Sequence, residues 1–62
     1  MKGLWIFIKY PKNGDEAYPI TIDTLISELA GYYKDVDLAI NELYAGSQVQ
    51  NSFNYYTAIF ER

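Results

Sequence analysis

Two pairs of neighbouring carboxylates are the residues of this 62-residue chain whose spacing could support acid–base chemistry: Asp15 with Glu16, and Asp35 with Asp37. Asp15 and Glu16 follow an Asn-Gly dipeptide, which is typical of a solvent-exposed turn. Asp35 and Asp37 stand where a helix would begin, and acidic side chains stabilise the first turn of a helix. A cleft that shifts carboxylate pKa values is hard to build in so short a chain. Both pairs are therefore interpreted as structural rather than catalytic.

The chain contains no histidine and no cysteine, and this removes most covalent and metal chemistry. Without histidine, the serines lack the usual base that activates a nucleophile. Without cysteine, disulfides and thiolate zinc sites are excluded. The acidic stretch from Asp35 to Glu42 lacks the ligand spacing of an EF-hand calcium loop. We therefore predict no enzyme activity, no catalytic residue, no metal site and no cofactor.

Seven tyrosines, one tryptophan and three phenylalanines favour a binding function instead. Tyrosine buries a large ring while its hydroxyl stays in contact with water, and it is enriched at protein interfaces. We predict docking on a protein partner, and also a homodimer, because both terminal strands are apolar on both faces. The predicted interface residues are Trp5, Phe7, Tyr32, Tyr55 and Tyr56.

The net charge of −3 is unevenly distributed, since residues 23–42 carry five acids and one lysine. Asp23 and Glu28 are five residues apart, as are Asp37 and Glu42, and this separation is close to two phosphate steps of DNA. An acidic face that imitates nucleic acid is one interpretation, and ordinary solvated helix faces are the other. By analogy, a small acidic chain suits an inhibitor from a mobile element, of the anti-CRISPR or antirestriction type. The acidic-face candidates are Asp23, Glu28, Asp35, Asp37 and Glu42.

The alternative function is nucleic-acid binding, through a helix pair or through aromatic side chains on a sheet. The second predicted helix, 37–45, contains no lysine or arginine, so it offers nothing to neutralise phosphates. Nucleic acid is therefore an unfavoured partner. The apolar run Leu4–Ile8 is too short for a secretory signal or a membrane helix. We expect a cytoplasmic protein without a membrane segment.

The elements that position these residues follow from their hydrophobic periodicity. Residues 4–10 and 53–61 are aromatic and β-branched and predict two strands, and 18–22 predicts an edge strand because Pro19 lacks an N–H. Residues 24–34 repeat apolar side chains at helical spacing, with Asp23 or Thr24 as the N-cap and Gly31 as a candidate end. Residues 37–45 fit a helix better than a strand, although the alternation of residues 35–41 leaves both open. Residues 46–52 read as a loop.

These elements predict an α+β fold in one domain, residues 1–62. The simplest compact arrangement pairs the two terminal strands antiparallel and packs one or two helices on one face of the sheet.

Overall fold

Two long strands, β1 (Leu4–Pro11) and β4 (Asn54–Glu61), lie side by side and antiparallel in the centre of the sheet. The computed structural model describes residues 3–62. The register runs from Leu4 opposite Glu61 to Pro11 opposite Asn54. Aromatic and β-branched side chains fit this pleated, half-buried surface, and Pro11 ends the first strand because it cannot donate a ladder hydrogen bond. The predicted pairing of the terminal strands is confirmed.

Two short strands form the edges and give the sheet order β2-β1-β4-β3. Strand β2 (Tyr18–Ile20) is an edge strand as predicted and pairs with β1, but it is shorter than 18–22 because the next residues enter a helix. Strand β3 (Val49–Gln50) pairs with β4, so the prediction of a loop over 46–52 is wrong at these two residues. Val49 lies opposite Tyr56 and is buried, which explains why this segment pairs.

The first helix, α1 (Ile22–Ala30), begins two residues before the predicted start. Neither Asp23 nor Thr24 is its N-cap. Thr21 takes that position, because its side-chain oxygen accepts a hydrogen bond from the backbone N–H of Thr24 at 3.1 Å. The helix ends at Ala30, before Gly31, so the predicted extension to residue 34 does not form.

The second helix, α2 (Val36–Tyr44), settles the ambiguity of this segment in favour of the helix. Asp35 caps it by accepting the backbone N–H of Leu38 at 3.1 Å. Gly46 follows the helix with φ of +94°, a conformation that side chains with a Cβ rarely adopt. This glycine lets the chain turn back toward β3.

Both helices pack on the same face of the sheet, as predicted. Phe7, Val49 and Tyr56 share that face. Val49 lies opposite Tyr56 in the register, and Phe7 lies opposite Ala58. Ala58 and Tyr56 point to the same side because they are two residues apart on one strand. The buried apolar core consists of Phe7, Leu25, Leu29, Ala39, Leu43, Val49 and Tyr56. Within residues 3–62, neither helix has the length and apolar character needed to cross a membrane.

Candidate functional site

The face of the sheet opposite the helices carries an apolar surface, which we call the open sheet face. It consists of Leu4, Ile6, Ile8, Tyr10 and Lys12 from β1 and its following turn, and Tyr55, Thr57, Ile59 and Glu61 from β4. None of these side chains belongs to the buried core or to the apolar side chains packed against it. Among residues 3–62, therefore, no helix covers this face.

The open sheet face is exposed to different degrees along its length. Leu4 and Ile59 are 63% and 46% exposed. Ile6, Ile8 and Tyr55 are half-buried, because neighbouring side chains on the same sheet shield them. Antiparallel sheets with one solvated face usually alternate apolar and polar residues, whereas here both faces of the central strands are largely apolar. Contiguous apolar patches of this kind are frequent at protein interaction sites, so the open sheet face is the candidate site.

The described side chains of the open sheet face include Lys12 and Glu61, which lie at its opposite ends. At one end the Lys12 ammonium lies 4.8 Å from the centre of the Tyr55 ring and donates a hydrogen bond of 2.7 Å to the side chain of Gln50. At the other end Glu61 stands opposite Leu4 in the register. Among the described residues this face is therefore asymmetric, with Lys12 at a tyrosine-rich end and Glu61 at an aliphatic end.

Two of the predicted interface residues are wrong, because they lie inside the molecule. Phe7 is 4% exposed and Tyr56 is 0% exposed, and both face the helices. The core of so small a chain requires large side chains, and these two rings supply them. Tyr55, the neighbour of Tyr56, points to the opposite side as the strand alternation requires and lies on the open sheet face.

The other two predicted interface residues lie elsewhere. Trp5 is on the helix side, where its ring packs edge-on against Tyr44 with centroids 4.8 Å apart and against Phe60 at 5.0 Å. Tyr32 follows α1, is 56% exposed and packs against Tyr33. The structure therefore does not bring the predicted aromatic residues together into one surface.

The hydroxyl of Tyr56 is the centre of a polar network beneath α1, which we call the Tyr56 network. It donates to the Oε1 atom of Glu28 and accepts hydrogen bonds of 3.1 Å from the amide groups of Asn51 and Asn54. Lys9 completes it with an ion pair of 2.9 Å to the Oε2 atom of Glu28. Asn51 also accepts from the backbone N–H groups of Phe53 and Asn54, which shapes the turn into β4.

The Tyr56 network shifts three pKa values away from neutral pH. Burial raises the pKa of Glu28, but the hydrogen bonds from Tyr56 and Lys9 together outweigh it, so that the net pKa is below its ordinary value. Burial, reinforced by the bond to Glu28, raises the pKa of Tyr56. The hydrogen bond to Glu28 raises the pKa of Lys9. All three groups keep their ordinary protonation states near pH 7, which suits a structural role for the network.

The predicted acidic residues do not form a row. Residues five apart on a helix are separated by about 140° around its axis, so Asp23 and Glu28 point in different directions. Glu28 is also held by Lys9 and Tyr56. Asp35 is occupied as the N-cap of α2, while Asp37 and Glu42 are exposed on that helix. The acidic face imagined from the sequence spacing is therefore a set of separate helix-cap and surface positions.

Two shallow clefts, of 220 and 240 Å³, lie beside the helices. Both are smaller than the range of about 300–1,000 Å³ that is usual for small-molecule sites. The larger one lies over the Tyr56 network and is bordered by the exposed rings of Tyr32 and Phe53. Because both clefts are small, the open sheet face is the more extensive candidate surface for binding another molecule.

The interface residues predicted from the sequence do not include the aliphatic residues of the open sheet face. The alternation of β1 already places Leu4, Ile6, Ile8 and Tyr10 on one side and Trp5 and Phe7 on the other. The predicted interface residues Trp5, Phe7 and Tyr56 lie on the side of the sheet that faces the helices, where Phe7 and Tyr56 fill the core. The sequence indicates an apolar surface in another way: β1 has apolar residues on both sides, and in a small domain only one side of a strand can face the core.

Comparison with known proteins adds no functional assignment. The chain matches no protein-family model, and neither curated proteins nor solved structures give a significant match.

Proposed function

We propose that this chain is a small cytoplasmic protein-binding domain that docks onto another protein chain through the open sheet face. The single observation that carries the proposal is the contiguous apolar surface of β1 and β4 on the side without helices. Removing apolar surface from water contributes about 25 cal/mol per Å², so covering this face favours association. A modulating role, such as that of an anti-CRISPR or antirestriction inhibitor, is part of the proposal and rests on the small size and net charge of −3.

The chemistry of the open sheet face favours protein over nucleic acid. Sheets that bind single strands combine stacking aromatic rings with a basic groove that follows the phosphates. Here Tyr10 and Tyr55 lie opposite each other near Lys12, but apart from Thr57 the rest of the face is aliphatic and ends at Glu61. Lys9 is on the helix side in an ion pair with Glu28. Aliphatic side chains suit the apolar centre of a protein interface.

Site-specific photo-cross-linking in the source cells tests the proposal. A photoreactive residue replaces Ile59 on the open sheet face, and a matched control replaces Leu38, which is 57% exposed on α2. We expect discrete protein adducts from position 59 and none of the same adducts from position 38. Adducts that disappear on nuclease treatment would instead indicate nucleic acid. Equal labelling from both positions, or no protein adduct from position 59, would contradict docking through this face.

A further inference from the structure

We propose that a second copy of this chain occupies the open sheet face, with the two sheets packed face to face around a two-fold axis. This inference rests on the proposed function, since it names the partner of the same surface. Its basis is the order of side chains along β1 and β4.

The open sheet face is a ladder of levels across the two central strands. Successive levels carry Leu4 with Glu61, Ile6 with Ile59, Ile8 with Thr57, Tyr10 with Tyr55, and finally Lys12. The middle level, Ile8 with Thr57, divides an aliphatic half from a tyrosine half. The length from the first level to the last is about 27 Å at 3.4 Å per residue.

A two-fold axis that lies between the sheets and perpendicular to the strands reverses this order in the second copy. The middle level then meets itself, and Ile6 and Ile59 of one copy meet Tyr10 and Tyr55 of the other. Lys12 of each copy comes to the level of Glu61 of the other. An interface of this kind is isologous, so the same surface must be complementary to itself. Here apolar side chains meet apolar side chains, and Lys12 meets Glu61.

The competing two-fold axis runs parallel to the strands and is disfavoured by charge. It would put Lys12 opposite Lys12 and Glu61 opposite Glu61. Like charges facing each other across an interface suppress an arrangement. Charge therefore selects the antiparallel orientation of the two copies.

The small footprint of the face indicates a weak, reversible dimer rather than a permanent one. Two central strands widened by the edge strands give a footprint of about 400 Å² per copy, from strand spacings of about 4.8 Å and the length of about 27 Å. The pair then buries about 800 Å², below the range of about 1,200–2,000 Å² for stable complexes. We therefore expect a reversible dimer with a dissociation constant on the order of 100 µM.

Sedimentation equilibrium of the full chain from about 5 µM to about 1 mM tests the inference, because this range brackets the expected dissociation constant. The average mass should rise from 7.2 kDa toward twice that value. Ile59→Glu should remove association, whereas Leu38→Glu, which makes the same charge change at an exposed apolar residue, should leave it unchanged. Both positions are exposed, and circular dichroism checks that each variant is folded.

Charge reversal tests the orientation. Lys12→Glu and Glu61→Lys should each weaken self-association by about ten-fold at low ionic strength, because each creates two like-charge contacts. An equimolar mixture of these two variants should recover association, since the mixed dimer has two opposite-charge contacts. Single variants that associate as strongly as the wild type would overturn the antiparallel two-fold arrangement, because the axis parallel to the strands faces like charges in the wild type and in each single variant alike. Failure of the mixture to recover would overturn it as well.

A single species of 7.2 kDa at every concentration would overturn the dimer. The cross-linking result then separates the two proposals. A heterologous adduct from position 59 together with a monomer in solution refutes self-association alone. The absence of any protein adduct from that position refutes the docking function as well.

Discussion

Replacing Tyr56 by phenylalanine should strongly destabilise the fold, because it removes the atom at the centre of the Tyr56 network. The phenyl ring would fill the same core space. The hydroxyl, however, accepts from Asn51 and Asn54 at 3.1 Å each and donates to Glu28. Its loss leaves two amide donors and the Oε1 atom of Glu28 without a partner, while Oε2 keeps its ion pair with Lys9.

The size of the effect follows from the burial of those partners. Asn51 and Asn54 are 7% and 8% exposed, so water reaches their side chains poorly. Leaving one buried donor unpaired costs about 1–3 kcal/mol. Glu28 is 28% exposed and can recruit water, so its contribution is small. We expect a loss of about 3 kcal/mol, relative to a total stability of about 3–9 kcal/mol for a chain of this length.

Urea unfolding followed by circular dichroism and by Trp5 fluorescence measures this loss. With a slope of about 1 kcal/mol per M for a small domain, the midpoint should fall by about 3 M. The matched control is Tyr55→Phe in the adjacent residue, whose hydroxyl has no hydrogen-bond partner among residues 3–62 and should change stability by less than about 0.5 kcal/mol. Equal effects of the two substitutions would refute the role assigned to the network.

Two further predictions concern pH and helix capping. The pKa of Glu28 is lowered from its ordinary 4.5. The contribution of this carboxylate to the free energy of unfolding is therefore complete above that value and is lost as pH falls through the folded-state pKa. The pKa of Tyr56 is raised from 10.0, so the contribution of its hydroxyl to the free energy of unfolding is complete below that value and is lost as pH rises through the folded-state pKa. Urea midpoints should therefore fall at both acidic and alkaline pH. Tyr56→Phe should flatten the fall on the alkaline side. Asp35→Ala should cost about 1 kcal/mol because Asp35 caps α2, whereas Asp37→Ala, which changes only a first-turn charge, should cost a few tenths; similar thermal unfolding of the two variants would contradict the capping assignment.

The secondary structure could be predicted where hydrophobic periodicity was strong. Strands β1 and β4 alternate β-branched and aromatic residues, and the helices repeat apolar residues at helical spacing, so local sequence and tertiary packing agree. The start of α1 was less accessible, because Thr21, Asp23 and Thr24 are all good caps and the choice among them depends on the path of the preceding strand. Strand β3 has only two residues and forms because β4 offers a partner, which local sequence does not reveal.

The candidate site was less predictable for a different reason. Periodicity divides a strand into two sides but does not state which side faces the helices. The aromatic character of Phe7 and Tyr56 predicts an interface, whereas their large rings fill the core. The network around Tyr56 joins residues from both ends of the chain and from α1, so nothing in the local sequence indicates it.

The uncovered sheet face follows from the connectivity of the fold. Strands β2 and β3 are the two edges, and the segment that connects them contains both helices. A connection that runs from one edge to the other crosses a single face, and here it crosses the face of Phe7 and Tyr56. Residues 3–62 then contain no remaining segment to cross the other face. Antiparallel sheets with one uncovered face usually carry polar residues on that solvated side. The aliphatic residues of β1 and β4 on that side are therefore the reason to expect that another chain covers it.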